Sequence, residues 1–340
     1  MGLAREIIDF CVPINPNFPP PELLDRIHQN LAEIVKYYPD YSGCHQENLS
    51  KISGVPAENI VVTNGSTELI NILCRDAKGP IVTPIPTFGR WTDLPFDFGI
   101  PIHFVQRSPE LEFRLQPEQV VRKVREVQGQ TLVLCNPNNP TGAWFSTREM
   151  EEIFQSLQDL SLIIVDESFM DFSDVDSAEK RALRTPNLIV VKSLGKAVGW
   201  HGIRLGYGVA STQVAHELRK QIPYWNINGL ASFVLKILPE YQEQLKDSYR
   251  KTAIDRSYMY NELQRIDVLT TFPSKANFLY SELPKGVSGK QVGERLLEEH
   301  GIFVRECSNK VGSTESYLRM AVLKPDTTDK LVQALRQVLD

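Results

Sequence analysis

The segment LIIVDESFMDFSDVDSAEKRALRTPNLIVVKSLGK (162–196) decides the fold. It contains two nearly continuous apolar runs, LIIVD (162–166) and NLIVV (187–191). Such runs predict strands that are buried on both faces of a mainly parallel sheet, because a strand with one exposed face alternates apolar and polar residues. Four more runs share this character: NIVVT (59–63), PIVT (80–83), IHFV (102–105) and TLVLC (131–135).

Helical patterns lie between several of these runs, for example at 117–127 and 147–157, and this alternation predicts an α/β domain. Beyond residue 225 the pattern changes to longer helices around a strand candidate, ANFLY (276–280), which predicts a second, smaller α+β domain. The helical segments of this C-terminal part are 229–247, 250–264, 288–299 and 326–339.

The N-terminal residues predict an extended arm and then a helix. Proline and asparagine are frequent in residues 6–20, which disfavours a helix there. The helix is predicted to end before the turn YYPD (37–40), because the residue before a proline resists helical geometry. Its apolar face would carry Leu24, Ile27, Leu31, Ile34 and Val35.

Composition excludes several classes of function. The chain of 340 residues is 42% apolar and carries a formal net charge of −5, which is typical of a globular protein. It has no basic block for a nucleic-acid partner and no apolar run near the ~20 residues that span a membrane. The five cysteines and six histidines lack metal-ligand spacing. We therefore expect a cytoplasmic protein with reduced thiols and no metal site.

Polar motifs follow three of the predicted strands, at the edge where open α/β sheets bind ligands. NGSTEL (64–69) places a Gly-Ser-Thr turn at a helix N-terminus, which suits a phosphate group, although a plain capping turn has the same composition. NPNNPTG (136–142) predicts a rigid turn. Asp166 ends a buried strand, where a carboxylate needs a cation or a hydrogen-bond donor. A helix cap or a buried salt bridge would meet that need as well as a functional role.

A fourth motif, KSLGKAVGWHGIRLGYG (192–208), carries Ser193, Lys196 and Arg204 among small residues. A solvated lysine is the commonest outcome in such a loop. Together with the phosphate turn and the strand-end carboxylate, however, the set meets the needs of pyridoxal phosphate. Its aldehyde requires a lysine, its ring nitrogen a carboxylate, and its phosphate a helix N-terminus with an arginine. The residues therefore indicate an enzyme that holds pyridoxal phosphate on Lys196.

These motifs, in this order, resemble those of the fold-type I, class I/II aminotransferases. The resemblance is strongest to the branch that contains histidinol-phosphate aminotransferase and L-threonine-O-3-phosphate decarboxylase. It covers nearly the whole chain, and the further matching segments are IDFCVPINP (8–16), YYPD (37–40), VDESFMDF (165–172), YWNINGLA (224–231), FVRECSN (303–309) and YLRMAV (317–322).

The resemblance implies the three-layer pyridoxal-phosphate transferase fold, with a mainly parallel central sheet and a smaller α+β domain. Residues 1–40 would form an arm and helix that pack with the small domain and a partner subunit. Residues 41–225 would form the large cofactor-binding domain, and residues 226–340 a connecting helix and the small domain. The family also implies a homodimer in which Tyr38 reaches the cofactor phosphate of the neighbouring subunit.

The resemblance assigns catalytic and cofactor-binding roles. Lys196 would form a Schiff base with the cofactor and later move the proton of the substrate α-carbon. Asp166 would pair with the ring nitrogen, Asn139 would donate to the adjacent ring oxygen, and Phe88 would stack on the ring. The phosphate would be bound by Gly65, Ser66, Thr67, Ser193 and Arg204, with Tyr38 from the other subunit.

For an amino-acid substrate, the resemblance implies that Arg319 binds the carboxylate through a bidentate fork. Arg305 would meet a second anionic or polar group. Asn15 and His201 complete the predicted substrate site, His201 as an acid, a base or a side-chain contact. Packing near the phosphate loop is the plainer interpretation of His201.

Several residues depart from the family pattern. Phe169 stands where many aminotransferases have a tyrosine that donates to the ring oxygen, which weakens the case for ordinary transamination. Gly195 replaces a serine before the lysine. Arg90 and Trp91 are also unusual and would shape either a substrate pocket or only the surface. Trp200 and His201 replace the small residues expected before Gly202 and would line an altered pocket, pack near the phosphate loop or form a dimer contact.

Three hypotheses for the function follow. The first is transamination, the commonest reaction of the family. The second is a lyase, either a threonine-phosphate-type decarboxylase, which Phe169 and FVRECSN favour, or an enzyme that dehydrates and cyclises a hydroxylated amino acid such as hydroxyarginine to a cyclic guanidino amino acid. The third is a non-catalytic ligand-binding module. Regulators of this family carry a DNA-binding domain, for which this chain has neither extra length nor a basic patch.

Overall fold

The computed structural model describes residues 7–339, so the first six residues of the predicted arm and Asp340 lie outside the described range. The strands are β1 (Ile8–Asp9), β2 (Ile60–Asn64), β3 (Ile81–Ile85), β4 (Ile102–Gln106), β5 (Thr131–Cys135), β6 (Leu162–Asp166), β7 (Leu188–Lys192), β8 (Leu205–Val209), β9 (Thr270–Phe272), β10 (Phe278–Glu282), β11 (Ile302–Phe303), β12 (Arg305–Glu306) and β13 (Tyr317–Ala321).

The α-helices of the described range surround these strands. They are α1 (Pro21–Lys36), α2 (Ser42–Ser53), α3 (Ser66–Asp76), α4 (Arg90–Asp97), α5 (Pro117–Glu126), α6 (Thr147–Ser156), α7 (Glu179–Ala182), α8 (Leu194–Ala197), α9 (Thr212–Arg219), α10 (Gly229–Ile237), α11 (Gln242–Leu263), α12 (Gly289–His300) and α13 (Pro325–Leu339).

The central sheet has seven strands in the order β2-β8-β7-β6-β5-β3-β4. The pairs from β7 across to β4 are parallel, whereas β8 runs antiparallel to both of its neighbours. Every residue of β3, β5 and β7 is buried, as a strand covered by helices on both faces requires. The predicted α/β fold with a mainly parallel sheet is confirmed, and each of the six predicted apolar runs forms one strand of it.

A smaller, antiparallel sheet has the order β12-β13-β10-β9. It shares a separate apolar core with α11, α12 and α13, in which Met259, Leu296 and Leu335 are fully buried. The N-terminal arm enters this core, because Phe10 is also fully buried there and β1 pairs in parallel with β11. The division of the chain at residues 40 and 225 stays a prediction.

Two details of the helices differ from the sequence prediction. The predicted segments 229–247 and 250–264 are wrong in their boundary, since α10 ends at Ile237 and a 3-10 turn at Leu238–Tyr241 precedes α11. Pro239 explains the break, because proline has no N–H to donate in a helix interior. Helix α1 forms as predicted, but its predicted apolar face is wrong at Leu24, Leu31 and Val35, which are all exposed. The buried residues of this helix are Leu23 and Ile27.

The arm is fastened beside the loop that follows β7. The Asn15 backbone N–H donates to the carbonyl of Lys196 (3.0 Å), and its side-chain amide donates to the carbonyl of Ala197 (2.8 Å). Gly199 allows this close approach. It has a φ of +72°, and a Cβ built on it would overlap the carbonyl oxygen of Phe18. Among residues 7–339, no helix is both long and apolar enough to cross a membrane.

We predict that Gly199→Ala lowers the free energy of unfolding by about 2 kcal/mol or more, because a side chain is strained at this φ and displaces the arm. Chemical denaturation measures the change. Gly43→Ala is the matched control, since Gly43 lies in α2 with open space around a Cβ, and it should leave stability unchanged or slightly higher. An equal loss in both variants would contradict the tight contact between arm and loop.

Candidate active site

The ends of three neighbouring strands, β5, β6 and β7, bring the predicted residues to one edge of the central sheet. Asn139 follows β5, Asp166 ends β6, and Lys196 lies in α8 just after β7. Because parallel strands end at the same edge, side chains far apart in the sequence meet there. They line a single cavity with Phe88, Cys135, Pro137, Ser168 and Phe169.

Lys196 is held in an apolar setting. Its Nζ lies 4.2 Å from the centroid of the Phe169 ring and 5.9 Å from that of Phe88. Burial lowers the pKa of Lys196 to about 8, although the nearby Asp166 opposes the shift. The amine therefore has a larger neutral, nucleophilic fraction at neutral pH than an ordinary lysine.

Asp166 is buried and is held by hydrogen bonds rather than by a cation. Its Oδ2 accepts from Nε1 of Trp91 (2.7 Å), and its Oδ1 accepts from the backbone N–H of Ser168 (3.0 Å). Within residues 7–339 it forms no ion pair, so the salt-bridge alternative does not apply. Trp91 is fully buried, so the proposal that it lies at the surface is also wrong.

The predicted phosphate turn adjoins the predicted arginine. Helix α3 begins at Ser66, directly after Gly65, whose φ is +71°. A Cβ on Gly65 would lie 2.6 Å from Nη2 of Arg204, so the guanidinium lies against the turn. Thr67 lies in the first turn of the same helix, which follows β2. Ser193 follows β7, and β8 lies between β2 and β7 in the sheet. Among the described residues this guanidinium forms no ion pair with a carboxylate, and such a cation beside a helix N-terminus suits a phosphate.

Arg319 and Asn139 are in direct contact, which the sequence did not reveal. Nη1 of Arg319 donates to Oδ1 of Asn139 (2.6 Å), and Nη2 donates to the carbonyl of Cys11 in the arm (2.7 Å). Burial lowers the pKa of Arg319, and Nε has no partner among the described residues. The guanidinium is thus oriented by neutral acceptors and keeps its charge uncompensated.

Lys310 is a further cation beside Arg305 and Arg319, and it was not predicted from the sequence. Its Nζ lies 5.7 Å from the centroid of the Phe88 ring, the same ring that Lys196 approaches. Burial lowers the pKa of Lys310, and the neighbouring charges of Arg305 and Arg319 lower it further. Arg305 is the register partner of Arg319 in the small sheet. Lys310 directly follows the matching segment FVRECSN, which was the available signal. We call Arg305, Lys310 and Arg319 the cationic cluster.

The remaining predicted residues are placed differently. Both polar groups of Asn15 are occupied, because its amide also donates to Ser248 and its carbonyl accepts from Thr252, so it offers no free group to a substrate. His201 lies 3.4 Å from Nη1 of Arg204. Burial, and then the charges of Lys196 and Arg204, lower the pKa of His201 to about 4. This histidine is therefore neutral at pH 7 and accepts a hydrogen bond near the phosphate turn.

Three unusual or partner-directed residues lie away from the cavity. Tyr38 is 79% exposed, and its ring centroid is 4.8 Å from that of Trp225. Trp200 is half-buried against the main core, and Arg90 is exposed. None of these side chains lines the cavity of its own chain.

Comparison with known proteins matches this chain to a family. The family model described as "Aminotransferase class I and II" matches residues 5–335. L-serine phosphate decarboxylase of Sulfurospirillum multivorans is 30% identical over 98% of this chain and 88% of its own length. Histidinol-phosphate aminotransferase of Methanococcus aeolicus is 26% identical over 98% of this chain and 91% of its own length.

A solved structure of a decarboxylase from Sulfurospirillum multivorans superimposes with a TM-score of 0.90 at 28% identity, covering 98% of this chain and 89% of that one. An uncharacterised protein of Sinorhizobium fredii is 33% identical over 98% of this chain. This chain spans only about half (54%) of that relative's length. The resemblance stated from the sequence is confirmed.

We predict that the apoprotein attaches pyridoxal phosphate covalently at Lys196, with a rate that rises with pH through a midpoint near 8, since only the neutral amine attacks an aldehyde. Stopped-flow absorbance at a series of pH values measures this rate. Lys196→Ala should abolish the covalent band. A midpoint near that of a free lysine, about 10.4, would show that burial does not activate the amine.

Proposed function

We propose a reaction for this chain from one established premise: the chain belongs to the family of class I and II aminotransferases. Dependence on pyridoxal phosphate and action on an amino acid, both predicted from the sequence, follow from this membership. Within these limits we propose that the protein decarboxylates an amino acid whose side chain carries a phosphate or phosphonate group. The cationic cluster is the observation that carries the proposal.

The residues at the sheet edge fit the cofactor. When bound, pyridoxal phosphate accepts the electron pair that remains on the substrate α-carbon after one of its bonds breaks. In our proposal Lys196 holds the aldehyde carbon, and Asp166 faces the ring nitrogen. Arg204 and the first turn of α3 bind the phosphate, because the guanidinium lies against the N-terminus of that helix. Phe88 and Phe169 keep water away from the amine.

The cationic cluster favours a substrate with a strongly anionic side chain. Three cations lie near one another, and no ion pair among the described residues includes Arg319 or Lys310. Asp93 is a nearby carboxylate that favours the charged form of Lys310, but it forms no ion pair with it. Uncompensated buried cations are costly, and a doubly charged phosphate offsets that cost better than a single carboxylate. A hydroxyarginine-type substrate would instead bring a fourth cation to this cluster. This argues against the cyclisation alternative.

Occupation of the cluster by a side-chain phosphate explains why the α-carboxylate would leave. A carboxylate bound to arginine is stabilised as an anion, which opposes loss of CO2 because that step removes its charge. With Arg319 engaged by the phosphate, the α-carboxylate has no guanidinium partner there. Lys196 then has one task after bond cleavage, to deliver a proton to the α-carbon. The name of the relative from Sulfurospirillum multivorans, a serine phosphate decarboxylase, agrees with this assignment.

Transamination is the second candidate, because the relative from Methanococcus aeolicus is an aminotransferase. It assigns Arg319 to the α-carboxylate and requires Lys196 to remove the α-proton instead. Phe169 argues against it, since this apolar ring supplies no donor to the cofactor oxygen.

We predict that O-phospho-L-serine yields CO2 and O-phosphoethanolamine without consumption of 2-oxoglutarate. Trapping of labelled CO2 and a coupled assay for 2-oxoglutarate distinguish the two reactions. Lys310→Met should raise KM for this substrate about tenfold or more with a smaller effect on kcat, because it removes a charge-assisted contact. Lys330→Met, on the exposed face of α13, is the matched control. Amino transfer to 2-oxoglutarate without CO2 release would overturn the decarboxylase assignment.

We also propose a homodimer. Several exposed aromatic side chains contact one another, and exposed apolar surface of this kind is typical of an interface. Tyr38 and Tyr41 lie within ring-contact distance of Trp225, and Val35 lies on the exposed side of α1.

The five cysteines are all free thiols, which supports a cytoplasmic location.

Shared active sites can be tested with hybrid dimers. We predict that Lys196→Ala and Tyr38→Ala each lower activity as pure proteins. Mixing the two after dissociation should restore part of it, because each hybrid then contains one site with both residues. Sedimentation should give twice the chain mass of 38.6 kDa. A monomer with full activity, or a mixture with no recovery, would contradict the proposal.

A further inference from the structure

Trp91 contacts the functional carboxylate from outside the cavity. Its Nε1 donates to Oδ2 of Asp166 at 2.7 Å. This is the shorter of the two hydrogen bonds that the carboxylate accepts, since the bond from the Ser168 backbone N–H is 3.0 Å long. Trp91 is fully buried and packs in an apolar cluster with Leu94, Val133 and Ile164. The indole is therefore fixed by packing, and its single polar atom points at Asp166.

The chemistry of indole makes this contact one-directional. An indole N–H only donates, whereas a hydroxyl, an amide or an imidazole can reverse its role. The backbone N–H of Ser168 also only donates. Two fixed donors therefore hold the Asp166 side chain as an acceptor, and they set the direction of its free lone pairs.

Trp91 is also linked to the ring-stacking residue. Its backbone N–H donates to the carbonyl of Phe88 (2.9 Å) at the start of α4. One short segment therefore carries both the aromatic ring that lines the cavity and the indole that orients the carboxylate. A shift of this segment would move both groups together.

We propose that Trp91 is a positioning residue, which fixes the orientation of the Asp166 carboxylate so that it is aimed at the ring nitrogen of the cofactor. This keeps the proton on the ring nitrogen and so maintains the ring as an electron acceptor. The inference rests on the family's cofactor and on the contact with Asp166. It does not depend on which bond of the substrate breaks, so it survives if the decarboxylase proposal fails.

Two substitutions separate the hydrogen bond from the packing. Trp91→Phe keeps an aromatic ring but removes the donor. Trp91→His removes the benzene ring but can place Nε2 where the indole Nε1 stands. The affinity of the apoprotein for pyridoxal phosphate is measured by equilibrium dialysis. We expect Trp91→Phe to weaken binding about tenfold and Trp91→His to stay within about threefold of the unsubstituted protein, because a hydrogen bond to a charged group is lost only in the first.

A cofactor analogue tests the route through Asp166. In 1-deazapyridoxal phosphate a C–H replaces the ring nitrogen, so Asp166 has nothing to pair with. Trp91→Phe and the unsubstituted protein should bind this analogue equally well. An equal loss for both cofactors, or weaker binding by Trp91→His than by Trp91→Phe, would assign Trp91 to packing alone and overturn the proposal.

A measurement on the unsubstituted protein covers the case in which Trp91→Phe does not fold. The chain has four tryptophans, and Phe substitutions at positions 144, 200 and 225 assign the indole N–H signals by elimination. The Trp91 signal should be protected from hydrogen exchange. It should shift when pyridoxal phosphate binds and stay in place with the deaza analogue. A Trp91 signal that does not respond to the natural cofactor would refute the link.

Discussion

A buried amine and a buried carboxylate on neighbouring strand ends do not pair with each other, and the rest of the site depends on this separation. Lys196 and Asp166 follow β7 and β6, yet no ion pair joins them. Hydrogen bonds from Trp91 and Ser168 stabilise the carboxylate, and burial lowers the pKa of the amine. A direct salt bridge would have neutralised both groups. In the proposed site, the two groups would instead meet the cofactor separately, Lys196 at the aldehyde carbon and Asp166 at the ring nitrogen.

Positive charge is concentrated at the two ends of this arrangement, although the chain as a whole carries a net charge of −5. Arg204 lies at the N-terminus of α3, and the cationic cluster lies near the Phe88 ring, which Lys310 approaches. The central sheet sets the first position, whereas the small domain supplies the second through β12, β13 and the loop between them. The relative placement of the two cores therefore fixes the distance between the two anion-binding ends.

The sequence predicted those parts of the structure that local patterns encode. Six strands were recognised because burial on both faces leaves an uninterrupted apolar run. Strand β8, LGYGV, escaped because its glycines break that pattern, although Gly206 and Gly208 are needed where α3 packs closely. The bond between Trp91 and Asp166 joins residues 75 positions apart, and Lys310 approaches the Phe88 ring only through the fold of its loop. No periodicity reports contacts of this kind. The resemblance named the cofactor residues, but it said nothing of what orients them.

The arm has a practical consequence for handling the protein. Its backbone at Asn15 is bonded to the carbonyl of Lys196, and Phe10 fills the core of the small domain. The segment before α1 is thus a structural tie between the lysine loop and the smaller core. An N-terminal truncation that removes Ile8 and Phe10 would therefore loosen the reactive amine from a distance, so expression designs should keep these residues.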